Sequence, residues 1–291
     1  MITEGHLARH YQGRKGGRSP ALIDIAQDHA LALINEAGVF VLGAVFKGGT
    51  AIRKYRAGNA GRFSTDLDFA GTDQPVAELL LESLDGKTLA GFAFRVEPLN
   101  EHRRSLLHID TPFGAPEIPA RIDCSARKPW LAPEHLAPIP LPIHERYDIA
   151  IAHIPVMPVE EVLAEKLARY RRASLARDLY DLAWFARSGP FDDTLVRRLT
   201  VLKVWHDVID DALGNRPFSP DDVLQERAPA TFREEDIGYL TTPVDIEGWQ
   251  STVRRRFVFL ADLDHHERLV AACNPGDRWN VDQLVADLSR P

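Results

Sequence analysis

Two hydrophobic patterns follow one another along the chain. Before position 126, apolar and β-branched residues come in short runs of the length typical of β-strands. After Pro158, apolar residues recur at helical spacing, and Glu160 and Glu161 fall in the first turn, where acidic side chains oppose the helix dipole. The patterns predict a mixed sheet followed by a mainly α-helical region. The predicted strands are 39–46, 66–70, 92–98, 106–110 and 121–125.

One long helix is predicted ahead of the first strand. Residues 20–37 place apolar side chains at helical intervals, with Pro20 suited to the first turn and Gly38 to the position after the last turn. The first twenty residues lack this periodicity and include the basic, glycine-rich stretch 13–18. We expect them to form a mobile loop.

A proline-rich segment separates the two patterns. Residues 128–158 contain prolines at positions 129, 133, 138, 140, 142, 155 and 158. Because proline removes a hydrogen bond from a helix interior, a connector along the surface is predicted here rather than a long helix. We place the domain boundary in this segment, with an α/β domain at 1–150 and a mainly helical domain at 151–291 that closes over the active-site cleft.

Composition and charge exclude several classes of protein. With 45% hydrophobic and 26% charged residues among 291, the chain is not expected to be disordered, collagen-like or coiled-coil. The formal net charge of -7 excludes an overall basic nucleic-acid binder but not a local basic groove. Cys124 and Cys273 form no CxxC pair, which argues against a disulfide framework and a thiolate zinc site.

The sequence carries no signal for a membrane or for export. No apolar run reaches the roughly 18 residues needed to span a bilayer, and the N-terminus lacks the apolar core of a signal peptide. We therefore expect a cytoplasmic protein with no membrane partner.

The most informative segment joins a glycine turn to a pair of aspartates. Residues 46–50 read Phe-Lys-Gly-Gly-Thr, and 66–69 read Asp-Leu-Asp-Phe. Aspartates two positions apart on a strand project to the same side, so Asp66 and Asp68 can hold a divalent ion such as Mg²⁺ together. The glycine pair allows backbone N–H groups to approach triphosphate oxygens. Thr50 is predicted to cap a helix through Tyr55 whose positive end faces those oxygens.

Each part of this segment has an ordinary structural alternative. A glycine pair after a strand is most often only a turn, and two aspartates on a strand are often a solvated edge. The segment is also not a Walker P-loop, because Gly49 stands where that motif requires lysine. The ordered combination of strand, glycine turn, helix and second strand favours a nucleotide site.

These motifs resemble a known superfamily. The strings KGGTAIRKY at 47–55, GRFSTDLDF at 61–69, EEVLAEKLARY at 160–170 and RDLYDLAWF at 177–185 resemble nucleotidyltransferases of the DNA polymerase β type. More narrowly, they are similar to the AbiEii/AbiGii toxin family, which includes the mycobacterial MenT toxins. The resemblance covers about residues 40–190. It implies an α/β (α+β) fold with a polymerase β-like mixed sheet and a C-terminal helical domain.

The same resemblance implies an activity and partners. Members transfer a nucleotide from an NTP, with Mg²⁺ as cofactor, to an acceptor; for some this is the 3′ end of tRNA, which blocks translation. Each is a toxin with a cognate antitoxin. Carried over position by position, the metal and catalytic residues are Asp66, Asp68, Lys166 and Asp181, and the nucleotide-binding residues are Lys47, Gly48, Gly49, Thr50, Arg62, Ser64 and Asp178.

Two-metal transfer requires a further carboxylate on an adjacent strand, near the attacking hydroxyl. Asp123, flanked by β-prone residues, is our candidate for this third metal ligand, and Asp110 is its rival. A surface carboxylate at a strand end is the structural alternative for Asp123.

Lys166 and Asp181 constrain the helices that carry them. An uninterrupted helix would separate the two positions by about 22 Å, at about 1.5 Å per residue. A shared site therefore requires a break, which we place near Ser174 as the N-cap of a second helix. Asp178 and Asp181 share a face of that helix; one is expected to orient Lys166 or the nucleotide, and the other to pair with Arg177.

Two basic runs in the sequence do not decide which acceptor receives the nucleotide. If they line the site, residues 166–177 and 254–256 would bind the phosphates of an RNA acceptor; a solvated charged face is the alternative. Two other functions also remain. One is transfer to a protein or small molecule, such as the antitoxin or an antibiotic, and the other is a non-catalytic NTP-binding module.

Overall fold

The computed structural model describes residues 2–100, 103–114, 117–214 and 216–288. Its contacts divide the chain into two compact units. Unit 1 is Met1–Met157 with Tyr239–Thr242, and unit 2 is Pro158–Gly238 with Pro243–Pro291. The short second segment of unit 1, Tyr239–Thr242, is held there by Tyr239. The Tyr239 hydroxyl donates to the Tyr11 carbonyl at 2.9 Å.

Unit 1 is built on an eight-stranded mixed sheet. Its elements are α1 (Glu4–His10), α2 (Arg18–Glu36), β1 (Val45–Lys47), α3 (Gly48–Ile52), β2 (Asp66–Ala70), α4 (Gln74–Glu82), β3 (Thr88–Leu89), β4 (Phe92–Asn100), β5 (Arg104–Asp110), β6 (Ile118–Ser125), β7 (Glu134–Leu136) and β8 (Ile154–Val156). The strands lie in the order β3-β4-β5-β6-β2-β1-β8-β7. This confirms the mixed α/β fold class.

Strand β2 lies at the centre of the sheet, between β1 and β6. It runs antiparallel to β1 and parallel to β6. Side chains alternate along it as the strand period requires, with Leu67 and Phe69 buried in the core and Asp66 and Asp68 partly exposed on the other face. Helix α2 supplies much of the core on the buried side, including Leu22, Ile25 and Leu31.

The expectation of a mobile N-terminal loop is wrong for residues 4–10. They form α1, which begins with a capping box in which Thr3 and His6 satisfy each other's backbone N–H groups. A helix of 7 residues, about two turns, is too short for its sequence periodicity to reveal it. Helix α2 begins at Arg18, two positions before the expected start, and Gly38 follows its end with φ of +77°.

The predicted strand 39–46 is largely a turn, and only Val45–Lys47 pairs with the sheet. Val41 and Leu42 are 89% and 58% exposed, so this apolar run does not mark a buried strand. The predicted Thr50 cap is also wrong. Helix α3 begins at Gly48 and ends at Ile52, and a π-helical turn, Arg53–Ala57, continues it.

Unit 2 is helical, as predicted for the second half. Its helices are α5 (Val159–Ala173), α6 (Ala176–Ser188), α7 (Asp193–Ile209), α8 (Asp221–Leu224), α9 (Ile246–Arg256), α10 (His265–Ala271) and α11 (Arg278–Asp287). In the part of the chain that the structure describes, no helix is both long and apolar enough to cross a membrane.

The break between α5 and α6 lies where the sequence predicts it, but Ser174 has a different role. It ends α5 in the left-handed conformation, with φ of +51°, and Leu175 occupies the N-cap of α6. The Ser174 hydroxyl accepts a 2.6 Å hydrogen bond from Arg227, whose guanidinium also lies over the Tyr170 ring. Ser174 is therefore a C-cap rather than the predicted N-cap.

Candidate active site

Three aspartates lie on one face of the central strands of unit 1. In the parallel register of β2 and β6, Asp68 is directly opposite Asp123, and Asp66 is opposite Arg121. Asp66, Asp68 and Asp123 are each partly exposed, whereas the intervening residues Leu67 and Ile122 are buried. We call this surface, defined by Asp66, Asp68 and Asp123, the carboxylate face.

The rival carboxylate, Asp110, lies elsewhere on the sheet. It ends β5 and is paired in register with Ala93 of β4, on the side of β5 away from β2. Strand β6 separates β5 from β2. The register thus brings Asp123, and not Asp110, beside Asp68.

The glycine turn packs directly on the carboxylate face. Gly48 has φ of +80°, and a Cβ built there would overlap Oδ2 of Asp68 and lie 3.0 Å from the Asp68 Cβ. A Cβ at Gly49 would overlap the Arg62 guanidinium and lie 2.9 Å from Oγ of Ser64. A larger residue at either glycine would therefore displace a functional side chain, because the backbone of the turn approaches these side chains closely. Lys47 of β1 pairs in register with Asp68 of β2.

The segment 62–64 is buried rather than an open loop. Arg62 and Ser64 are 6% and 8% exposed, and the Ser64 carbonyl accepts a 3.2 Å hydrogen bond from the Gln27 amide of α2. Sequence reasoning placed Arg62 and Ser64 near the glycine turn but gave no role to Gln27.

Thr50 has no exposed surface, and its hydroxyl donates to the carbonyl of Asp66. This contact fixes the start of β2 against α3. The hydroxyl of Thr50 therefore has a positioning role in this structure, and the contact of Thr50 with a nucleotide stays a prediction.

The donor chemistry of the carboxylate face fits Mg²⁺, which prefers hard oxygen ligands. Within residues 2–100, 103–114, 117–214 and 216–288, no three His, Cys, Asp or Glu side chains converge as a complete metal centre. The third carboxylate, Asp123, is held instead by its cross-strand neighbour Arg104, whose Nε lies 2.9 Å from Oδ1. Arg104 is 70% exposed at its side chain, so this pair is free to exchange with solvent and ions.

The neighbouring thiol offers no alternative nucleophile. Cys124 follows Asp123 on β6 with its side chain on the buried face. Burial raises the pKa of this thiol to about 11, so it stays protonated at neutral pH and is a poor nucleophile.

A second cluster lies in unit 2, where the break at Ser174 folds α6 back along α5. Lys166 Nζ lies 2.6 Å from Asp181 and 3.2 Å from Asp178, and these three side chains are all buried. Arg169 donates to both oxygens of Asp178. Both aspartates therefore bind Lys166, whereas the sequence analysis gave this role to only one and paired the other with Arg177.

The two basic runs are largely paired within unit 2. Arg171 donates to the Arg216 carbonyl at 2.7 Å, and Arg172 lies 2.9 Å from Asp207. In the second run, Arg254 pairs with Glu226, and Arg256 with Asp193. These arginines thus already have partners within unit 2, and a role in binding RNA phosphates stays a prediction.

Sequence reasoning missed a buried ionic network under the sheet of unit 1. Asp24 of α2 accepts from Arg53 at 2.9 Å, from Lys54 at 3.2 Å and from the His10 ring at 2.8 Å. One turn further, Asp28 accepts from Lys54 at 2.7 Å and from the Tyr147 hydroxyl at 2.6 Å. Arg53 also donates to the carbonyls of residues 58 and 61. These residues come just before Arg62, whose guanidinium packs against the glycine turn. The network thus braces the segment that leads to the site.

Burial by itself would raise the pKa of Asp24, but the cations Arg53 and Lys54, with His10, outweigh it and hold that pKa well below its usual range. Burial and the Asp28 charge raise the pKa of Tyr147 well above its usual range, so the phenol remains a hydrogen-bond donor. The network is therefore ionic at its centre across the neutral pH range.

Comparisons with known proteins identify the family of the chain. Residues 36–286 match the family model described as nucleotidyl transferase AbiEii toxin of type IV toxin–antitoxin systems. The solved structure of MenT4, a nucleotidyltransferase toxin from Mycobacterium tuberculosis H37Rv, is 45% identical with a TM-score of 0.93, over 99% of each chain.

Two structures from Helicobacter pylori are more distant. A putative nucleotidyltransferase and the protein JHP933 are each 18% identical with a TM-score of 0.44. The first match covers 82% of this chain and 97% of the other, and the second covers 81% and 92%. The search of curated proteins found no match. The family match and the likeness to MenT4 lead to one conclusion: the chain belongs to the AbiEii family of nucleotidyltransferase toxins of toxin–antitoxin systems.

Proposed function

We propose that this nucleotidyltransferase toxin moves a nucleoside monophosphate from an NTP to the 3′ end of tRNA, with Mg²⁺ held by Asp66, Asp68 and Asp123. The observation that carries the proposal is the register of β2 and β6, which sets Asp68 opposite Asp123 with the glycine turn packed on Asp68. The tRNA acceptor itself is supported by the family resemblance of the sequence motifs.

The reaction is an in-line displacement at the α-phosphorus. A bond forms between the acceptor oxygen and phosphorus, the bond to the bridging oxygen breaks, pyrophosphate leaves, and the hydroxyl proton passes to solvent. Bound Mg²⁺ would supply charge neutralisation at the phosphates and activation of the hydroxyl. The backbone of Gly48 and Gly49 and the side chains of Lys47, Arg62 and Ser64 would bind and orient the triphosphate.

In unit 2, Lys166 is proposed to donate to the phosphates. An ammonium group carries three donors, and within the described residues Lys166 uses two of them on Asp178 and Asp181. The remaining donor is available for a phosphate oxygen, and the two carboxylates fix its direction. Asp178 and Asp181 would then position Lys166.

The test is incubation of the purified protein with total tRNA, MgCl₂ and each α-labelled NTP in turn, with Asp66→Ala as the control. We expect label at the 3′ end of tRNA with the wild type and none with the variant. The antitoxin partner and an NTP substrate follow from family membership, so this experiment addresses only the acceptor, the metal and the nucleotide.

Other outcomes identify the alternatives. Label on protein would replace tRNA with a protein acceptor, and label on a small molecule would point to a compact acceptor pocket. Label in tRNA without MgCl₂ and in the presence of a chelator would rule out the proposed cofactor. NTP binding without label on any acceptor would favour the non-catalytic NTP-binding module.

Arg104 yields a separate prediction for metal binding. Arg104→Gln removes the cation that holds Asp123, so we expect Mg²⁺ to bind about two- to fivefold more tightly, the range expected for loss of an exposed ion pair. Isothermal titration calorimetry with MgCl₂ alone measures this without any turnover.

Arg95→Gln is the matched control. Arg95 is an exposed arginine of the same sheet and pairs with Glu117 at 3.2 Å, away from the carboxylate face. We expect no change in Mg²⁺ affinity for this variant. Equal affinities of Arg104→Gln and the wild type would show that Arg104 does not compete with the metal for Asp123.

A further inference from the structure

Unit 1 contains a cavity of about 240 Å³ away from the carboxylate face. Its walls come from α1, from Asn59 in the turn after the π-helical segment, and from the turn at 142–146. This volume lies just below the usual range for pockets that hold drug-sized molecules, about 300–1,000 Å³. The cavity is therefore suited to a small ligand.

The charge of the lining is mainly basic. Arg9, Arg146, His6 and His10 all line the cavity, against one carboxylate, Glu145. The lining chemistry favours an anion over a cation or an apolar ligand.

Both arginines of the lining, Arg9 and Arg146, are exposed side chains at the cavity. Within the described ranges, neither Arg9 nor Arg146 forms an ion pair or a side-chain hydrogen bond with another residue. His6 lines the same cavity as both arginines. Unpaired arginines that face one small space are the arrangement that binds phosphate, because guanidinium groups donate to its oxygens in a fork.

The inner wall of the cavity connects to the buried network. His10 lines the cavity and is only 9% exposed, and its Nε2 lies 2.8 Å from Asp24. Asp24 binds Arg53, which donates to the carbonyls of Gly58 and Gly61 at 3.1 and 2.8 Å. A ligand in the cavity would thus contact His10, where this series of contacts begins, and Asn59, in the segment 58–61 that the contacts support.

We propose that this cavity is a regulatory site for a small phosphate monoester, bound by the guanidinium groups of Arg9 and Arg146. Binding would join α1 to the turn at 142–146 and stabilise the segment 58–61 through His10, Asp24 and Arg53. The site is separate from the proposed NTP site and does not depend on which acceptor the enzyme uses.

The test is titration of the full-length protein with inorganic phosphate and with glycerol 3-phosphate at constant ionic strength, followed by calorimetry. We expect saturable binding of both, with glycerol 3-phosphate at least as tight as phosphate. Arg9→Gln and Arg146→Gln should each raise the apparent Kd at least tenfold. Arg14→Gln, which alters an exposed arginine of the same N-terminal segment outside the cavity, should leave it unchanged.

Several results would overturn the proposal. These are phosphate binding no stronger than chloride binding, binding that persists in both cavity variants, or binding that Lys47→Gln removes instead. Glycerol 3-phosphate binding ten times weaker than phosphate would overturn the assignment to a monoester. Hydrogen exchange adds a readout of the connection: phosphate should slow exchange at residues 58–61 in the wild type and not in Arg9→Gln, and equal exchange with and without phosphate in the wild type would refute the link.

Discussion

Gly48→Ala is expected to lower the rate of nucleotidyl transfer by about a hundredfold or more, the loss that follows a displacement of about 1 Å at a reacting centre. The added Cβ would overlap Oδ2 of Asp68 and crowd its Cβ at 3.0 Å, so this carboxylate has to leave its present position beside Asp123. The atom that yields first is the end of a side chain, so the fold tolerates the change. The expected signature is a large fall in kcat with a small fall in Tm.

Gly86→Ala is the matched control for this prediction. Gly86 also has a positive φ, +68°, but a Cβ there would meet nothing within 4 Å. Both variants carry the strain of a left-handed alanine, about 1–2 kcal/mol, and only Gly48→Ala disturbs Asp68. A Gly48→Ala enzyme with wild-type kcat would refute the placement of Asp68 at the centre of the reaction.

The site segments were predictable because their information is local. Asp66 and Asp68 are two positions apart on one strand, and the strand period puts them on one face whatever the rest of the fold. The break between α5 and α6 followed from a distance argument, since Lys166 and Asp181 cannot meet along one straight helix. The cap at Ser174 was not predictable, because serine is favoured at the N-cap and few residues other than glycine take the left-handed conformation that Ser174 adopts.

The sequence could not predict which residues pair with each other in the buried network. Asp24 and Arg53 are 29 positions apart, and Asp28 and Tyr147 are 119 apart. Asp24, Gln27 and Asp28 stand at i, i+3 and i+4 in the sequence of α2, the pattern of a solvated helix face. The structure instead buries residues 21–31 on every side, so these polar side chains have to find partners inside the protein.

The error at 39–46 has a different origin. A short apolar run fits a buried strand or an exposed turn equally well when periodicity is the only criterion. The structure uses Val45–Lys47 alone, because the chain first has to turn after Gly38 before it can enter the sheet beside β2.

Asp24→Asn is expected to lower the free energy of unfolding by about 3–5 kcal/mol at neutral pH, the usual result when one partner of a buried ion pair is removed. Asp24 is 1% exposed, and its loss would leave Arg53 without its carboxylate partner and Lys54 with Asp28 alone. Denaturant unfolding followed by circular dichroism measures the difference. Glu4→Gln, which breaks the exposed pair with Arg18, should change the free energy by less than about 1 kcal/mol.

The pH dependence of the unfolding free energy tests whether Asp24 is charged in the folded protein. The folded-state pKa of Asp24 lies well below its usual range, whereas the unfolded value is about 3.9. The unfolded chain therefore binds a proton first as pH falls, so the contribution of Asp24 is complete above about pH 5 and declines below about pH 4. The gap in unfolding free energy between wild type and Asp24→Asn should be constant from about pH 5 to 8 and narrow on further acidification. A gap that widens toward acid pH would mean that Asp24 is protonated in the folded protein and that the network is not ionic at its centre.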